Sequence, residues 1–217
     1  MNNYAKYIDH TYLKADATNE DIKKLCSEAI EYGFYSVCIN PAHVPLAKSY
    51  LSNSEVKVCT VVGFPLGANI IETKVFETKK AIEDGADEID MVINISALKD
   101  NNFDYLESEI RSIKSICANK VLKVIIETAY LNKEEIIKIT KLLSDVGVNF
   151  IKTSTGFASR GASIDDILTI KSVIDTNLEI KASGGIRSFP EFKQFIDLGV
   201  KRVGTSNGIK ILEEVNN

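Results

Sequence analysis

YIDHTYL, residues 7 to 13, is the stretch on which the fold turns. Ile8 starts it in an apolar manner, and Asp9, His10 and Thr11 then interrupt the pattern. Read as a strand, it gives the chain eight strand-then-helix units, the signature of a closed (β/α)₈ barrel. Read as a loop, it leaves seven, and an open doubly wound sheet becomes the better description.

The segments that follow it alternate regularly. TNEDIKKLCSEAIEYG (18 to 33) predicts a helix, with Thr18 as cap, Asp21 in the first turn and Gly33 as the stop. Its Ile22, Leu25, Cys26, Ala29 and Ile30 recur at helical spacing. SVCIN (36 to 40) reads as a strand before a short helical piece near VPLAKSYL, and VKVCTVVGF (56 to 64) as a buried strand before a helix from about Ile70 to Asp84. EIDMVIN (88 to 94) leads through a loop to the helix FDYLESEIRSIKSIC, and LKVIIET (122 to 128) to one from about Asn132 to Asp145. NFIKTSTGF, EIKASGG and KRVGTS complete the strands, with helical stretches near 163 to 175, 188 to 198 and from Gly208. The central strands are mostly apolar rather than alternating, as parallel strands covered by helices are. With the first segment counted as a strand, a single-domain α/β TIM barrel over residues 1 to 217 is the expectation; no linker or low-complexity tract divides the chain.

The composition narrows the function. With 45% hydrophobic residues the chain can bury a substantial core, and a net charge of −4 argues against a general affinity for nucleic acid or anionic membrane. Cys26, Cys38, Cys59 and Cys117 are scattered, without a CxxC pair, and read as reduced core residues. His10 and His43 are the only histidines, and no tight ligand cluster suggests a metal. The N-terminal segment has no apolar stretch of signal or membrane-span length. The cytoplasm is the expected location.

In a barrel, chemistry gathers at the C-terminal strand ends. Asp9 to Thr11, Asn40, Asp90 and Asn94, Glu127 and Thr128, Lys152 to Thr155, Lys181 and Ser183, and Thr205 and Ser206 fall there. Charges at strand starts, such as Lys57, Glu88, Lys123, Glu179 and Lys201, read as rim residues whose long side chains reach water. Lys152 and Lys181 differ, because each follows apolar strand residues and precedes a Thr/Ser/Gly stretch. Either alone could be a buried ion pair; two in consecutive units suggest a site. Two ammonium groups in a dry pocket disfavour each other's charge, so at least one amine is expected to titrate low. A neutral lysine attacks carbonyl carbon, and the resulting Schiff base is an electron sink for carbon–carbon bond cleavage. Asp90, a carboxylate inside an apolar strand, is either a structural partner or a proton relay. SGGIR (183 to 187) and VGTSNG (203 to 208), after the last two strands, point to a phosphate held by backbone N–H groups, with Arg187 able to add charge.

Several stretches together resemble deoxyribose-phosphate aldolases, a class I, Schiff-base family with a (β/α)₈ fold. They are IDHTYLKADAT (8 to 18), CINP (38 to 41), VVGFPLG (61 to 67), GADEIDMVIN (85 to 94), ETAYL (127 to 131), FIKTSTGF (150 to 157), KASGGIR (181 to 187) and RVGTS (202 to 206). The resemblance favours reading the first segment as a strand. It implies reversible cleavage of 2-deoxy-D-ribose 5-phosphate to acetaldehyde and D-glyceraldehyde 3-phosphate, with neither metal nor cofactor. It implies that Lys152 forms the Schiff base, that Lys181 lowers its pKa and that Asp90 belongs to the relay. Gly184, Gly185, Gly204 and Ser206 would hold the phosphate, with Gly156 nearby. The residues alone do not decide which lysine attacks. Tyr12 and Ala15 depart from the commonest pattern in a matter of turn and packing; Phe157 and Asn207 depart where they can weaken phosphate affinity or alter substrate preference. Small phosphorylated sugars or aldehydes are the expected partners, not nucleic acid or membrane. A homodimer is compatible with the fold, and no stretch marks its interface. Competing readings are another Schiff-base aldolase, a phosphate-binding isomerase or synthase, and a barrel that only binds.

Overall fold

The computed structural model describes residues 4–174 and 176–215. Ile8–Tyr12 is a strand (β1), and it settles the architecture. It pairs in parallel with Ser36–Ile39 (β2) on one side and with Arg202–Thr205 (β8) on the other, so the sheet has no edge. The circuit runs through Lys57–Val62 (β3), Glu88–Val92 (β4), Val121–Ile125 (β5), Phe150–Lys152 (β6) and Glu179–Ser183 (β7), each bonded to its neighbour in chain order. Closure satisfies backbone groups that an open parallel sheet would leave at its edges.

The helices are Asn19–Tyr32 (α1), Val44–Tyr50 (α2), Ile71–Glu83 (α3), Ile95–Lys99 (α4), Phe103–Cys117 (α5), Lys133–Val146 (α6), Ile164–Lys171 (α7), Phe189–Asp197 (α8) and Gly208–Glu213 (α9). The expected start and stop of α1 hold. Thr18 accepts from the Asp21 N–H, the Asp21 carboxylate accepts from the Thr18 N–H, and Gly33 ends the helix with φ +68°. Asn132 and Glu135 form the same reciprocal cap on α6.

Two differences from expectation appear. The link after β4 contains α4, capped by the Asn94 side chain accepting from the Ala97 N–H. The helix expected near 163 to 175 ends at Lys171, and residue 175 lies outside the described residues. In the C-terminal tail, Glu214 Oε2 accepts from the Phe189 N–H at 2.7 Å, and residues 216 and 217 lie outside the described residues.

Alternation along the strands separates two interiors. Ile89 and Met91 of β4 join Ile110 and Ile113 of α5 in the large apolar layer between sheet and helices. Glu88 and Asp90 point the other way, into the barrel. The barrel lumen holds a small apolar cluster, Leu13, Cys38, Cys59 and Val61 with Phe64 against it, beside buried charged and hydroxyl side chains. All four cysteines are free and buried. Among the described residues, no helix is long and apolar enough to cross a membrane.

Candidate active site

Lys152 ends β6, Lys181 is the third residue of β7, and the two are register partners. Both point into the lumen and converge on one atom. Lys152 Nζ lies 2.8 Å from Asp90 Oδ2, and Lys181 Nζ lies 2.7 Å from the same oxygen. The ammonium groups therefore meet across a carboxylate rather than bare. The sequence places no carboxylate beside either lysine; β4 supplies it through the closed sheet.

The third lysine of the cluster corrects an expectation. Lys123, read as a rim residue reaching water, is fully buried, with Nζ 2.6 Å from Glu88 Oε2 and 2.9 Å from Asp90 Oδ1. Glu88, likewise read as rim, is also inside. Lys123 is the middle residue of β5, level with Asp90 in the middle of β4, and its side chain turns into the lumen; Glu88, the first residue of β4, sits level with Cys59, the third of β3. Lys57, Glu179 and Lys201 are exposed, as a rim requires.

Asp9 completes the carboxylates. The sequence noted it as a strand-end polar residue without giving it a role, because beside the polar His10 and Thr11 it does not stand out as Asp90 does in its apolar strand. Its Oδ2 lies 2.5 Å from Lys181 Nζ without hydrogen-bond alignment, so the contact is an ion pair alone. Its Oδ1 accepts from Ser36 Oγ at 2.7 Å.

These contacts fix charge states. Burial acts to raise the Asp90 pKa, and Lys123, Lys152 and Lys181 more than offset it, holding the carboxyl well below its ordinary range. Asp9 is held down against burial in the same way by Lys181, Arg202 and Lys123. Burial works against the Lys181 charge, and Asp9 and Asp90 together reverse that, raising its pKa above the ordinary lysine value. Lys181 is therefore not the amine of the pair expected to titrate low, because the carboxylates stand between. Cys59 donates its thiol proton toward Asp90 Oδ1 at 3.2 Å, and burial pushes that thiol well up.

Above the cluster opens a cavity of about 590 Å³. Gly156, Gly184, Gly185, Gly204 and Ser206, the residues expected around a phosphate, all line it. Of the two lysines, only Lys152 is part of its wall; Lys181 is fully buried beneath. Gly184 has φ +82°, and a Cβ there would lie 2.9 Å from Gly161 Cα, so a side chain fits neither the backbone nor the space. Gly204 lets the strand pass close to Lys181, whose Cε would be 3.2 Å from an added Cβ. Arg187 and Asn207 also face the cavity. Phe157 stands at its mouth, 58% exposed, with its ring edge-to-face with Phe64 at 5.3 Å. His10, which sequence reasoning left without a task, lines the same wall and meets Glu28 Oε2 at 2.8 Å.

Cys38, Cys59 and Asp90 bring three candidate metal-ligand atoms within 4.8 Å of one another. The donor set does not suit a divalent cation. Asp90 is already paired with three ammonium groups, and the Cys59 thiol resists ionisation. The arrangement suits a different chemistry: an amine at the wall of a glycine-lined cavity, backed by buried charges of both signs.

The family model of DeoC/LacD aldolases matches residues 4–214. A deoxyribose-phosphate aldolase of Ureaplasma parvum serovar 3 is 58% identical over 212 residues, covering 98% of this chain and 99% of its own. One from Thermococcus kodakarensis is 51% identical over 213 residues, covering 96% and 95%. Among solved structures, the aldolase QR15 superposes with a TM-score of 0.95 at 44% identity, covering 100% of this chain and 97% of its own. A deoxyribose phosphate aldolase from Aeropyrum pernix, described as tetrameric, superposes at 0.89 with 30% identity, covering 99% and 91%.

Proposed function

Because the chain belongs to the DeoC/LacD family of aldolases, we propose that Lys152, Lys181 and Asp90 carry out its reaction, the reversible cleavage of 2-deoxy-D-ribose 5-phosphate to acetaldehyde and D-glyceraldehyde 3-phosphate. The enzyme is a class I aldolase, working through a lysine Schiff base. One observation carries the division of labour: two lysines share one carboxylate oxygen, and only Lys152 also lines the cavity. That supports Lys152 as nucleophile.

Lys152 Nζ, having given up a proton, adds to C1 of the open-chain sugar phosphate, and loss of water leaves a protonated imine. A base then removes the C3 hydroxyl proton, and the C2–C3 bond breaks with its electron pair moving into the iminium. D-Glyceraldehyde 3-phosphate departs, and an enamine of two carbons remains on Lys152. Protonation at C2 and hydrolysis release acetaldehyde and the free amine. Asp90, with a bridging water, is the proposed relay for the hydroxyl and carbinolamine protons. Three cations make it a weak base, which suits a group that passes a proton on rather than keeping it. Lys181 stays cationic throughout and keeps Asp90 ionised after Lys152 becomes neutral.

The phosphate is proposed to sit against Gly184, Gly185, Gly204 and Ser206, with Gly156 beside it and Arg187 adding charge. A reducing compartment such as the cytoplasm suits four unpaired, buried cysteines.

The test is covalent. Protein is incubated with 2-deoxyribose 5-phosphate, reduced with borohydride, and mapped by peptide mass spectrometry. A reduced two-carbon adduct is expected on Lys152, absent from Lys152→Ala and slow to form in Lys181→Ala. No adduct in folded protein would remove the Schiff-base assignment, and an adduct on Lys181 would exchange the two lysine roles.

A further inference from the structure

The charges beneath the cavity do not end at the lysine pair. Arg202, at the start of β8, places Nη1 2.5 Å from Asp9 Oδ1 and Nη2 3.0 Å from Glu88 Oε1. Its guanidinium is pinned face-on to Tyr35, 3.3 Å from the ring centroid. With these contacts the lumen charges close into a circuit: Asp90, Lys181, Asp9, Arg202, Glu88, Lys123 and back to Asp90. The signs alternate around it, three carboxylates with three cations, and every member is nearly or wholly buried. Among the described residues, Lys152 is the one cation attached from outside, through Asp90 Oδ2. Fully ionised, the assembly carries one positive charge too many. Loss of a proton from Lys152 leaves a balanced circuit, while loss from any other member leaves a buried charge without its partner.

We propose that Arg202 and Glu88, which do not line the cavity, are positioning residues that set the pH at which Lys152 becomes a nucleophile by fixing the net charge of this circuit. The inference rests on Lys152 forming the Schiff base. The groups it must be separated from are few. Within the lumen Lys152 faces Asp90 of β4 and Lys181 of β7, with Asp9 of β1, Lys123 of β5 and the thiols of Cys38 and Cys59 on β2 and β3 behind them. Across the cavity stand His10 with Glu28, Lys14, Asp21, Lys24 and Arg187. All of these are unchanged when only Arg202 and Glu88 are varied.

The experiment reads the acid limb of the pH profile for initial cleavage rate, paired with borohydride trapping to confirm that the adduct stays on Lys152. Arg202→Met makes the circuit more negative, holds the Lys152 proton more tightly, and is expected to move the limb to higher pH. Glu88→Gln makes it more positive and is expected to move the limb to lower pH. Each shift should be about one pH unit, the effect of a unit charge about 10 Å away at an effective dielectric constant near 20. Glu88→Gln/Arg202→Met restores the balance, and its limb should return to the wild-type position even if its rate is lower. Arg202→Lys, which keeps the charge and loses the fork, should also sit there, and it carries the test together with Glu88→Gln if Arg202→Met does not fold. Purely structural damage would lower rates and compound in the double variant without opposite shifts. Limbs that stay in place, or that move in the same direction for both single variants while the adduct remains on Lys152, would overturn the circuit's role and leave the aldolase assignment intact. An adduct elsewhere would instead remove the assignment on which it rests.

Discussion

Asp90 carries three ammonium groups on two oxygens, an arrangement that is stable only while the carboxylate keeps its charge. Asp90→Asn preserves the shape and removes the anion, so Lys123, Lys152 and Lys181 would face a neutral amide in a buried site. Stability is expected to fall by about 3–5 kcal/mol, the usual result of stripping one member from a buried ionic cluster. Cleavage should slow by about 10²–10⁴-fold if Asp90 relays protons. Urea unfolding and single-turnover trapping separate the two losses; folded Asp90→Asn with turnover within tenfold of wild type would leave Asp90 a structural anion only. Lys152, Lys181 and Asp90 were each legible in the sequence by one signal, a charged residue following apolar strand positions. Their convergence was not, because β4 lies far from β6 and β7 along the chain and the carboxylate reaches them only through barrel closure. Lys123 shows the limit most clearly. Read as starting at Leu122, its strand put it near the rim, yet β5 begins at Val121, and Lys123 is mid-strand, level with Asp90 and facing the lumen.

Helices α3 and α5 hold a second buried ion pair that the reaction does not use. Lys74 Nζ is 2.6 Å from Glu109 Oε1 and 2.8 Å from the Val92 carbonyl oxygen, and Glu109 Oε2 accepts from the Asn94 N–H at 2.9 Å. Two outer helices thereby grip the C-terminal end of β4, two residues beyond Asp90. Burial lowers the Lys74 pKa and raises that of Glu109, so desolvation outweighs the attraction within this pair. Lys74→Met should destabilise by about 3–5 kcal/mol in urea titrations, because it leaves a buried carboxylate alone. Lys74→Met/Glu109→Gln should recover part of that loss. A double variant no more stable than the single one would mean that packing, for instance the lysine stem against Gly63, matters more than charge. At this scale the sequence was most informative about elements with full periodicity and caps, such as α1 and α6, and about all eight strands. The first strand needed the family resemblance, since its polar middle contradicts the strand pattern for the reason that makes it useful: Asp9 faces a charged lumen, not an apolar core. Helix α4 was not legible because ISALK spans little more than one turn and is held by the Asn94 cap and by Glu109, a partner from α5.

The barrel as a whole has placed its charges where most proteins keep hydrocarbon, and its pH stability should follow. Asp9 and Asp90 both have pKa values depressed below the unfolded value, so their stabilisation is fully present above about pH 4 and drains away as the pH falls toward their folded values. Lys123 and Lys181 have raised values, so their contribution is complete below about pH 10.4 and is lost only as the pH climbs through the folded values above that. Between those limits these four groups give no slope, and above about pH 8.5 the buried Cys59 thiol, raised by burial, loses stability as its unfolded counterpart ionises. Other groups act on the acid side. His10, lowered by burial, costs stability as the pH drops below about 6.5, and Asp87 and Asp166 add slopes of the same sign as Asp9. Glu77 and Glu109, raised by burial, oppose them. Each carboxylate titrating only in the unfolded chain contributes about 1.4 kcal/mol per pH unit, so Asp9 and Asp90 together account for a fall of about 2.7 kcal/mol per unit below pH 4. Asp9→Asn removes one of the two groups. Its unfolding free energy starts lower, but between about pH 2 and 4 it should fall less steeply than wild type by about one proton's worth of slope. Slope, not absolute stability, is the quantity to compare, since any damage from the substitution shifts the whole curve without tilting it. Parallel curves in that window would mean that Asp9 is already protonated in the folded barrel, and the alternating circuit would then lack one of its three anions.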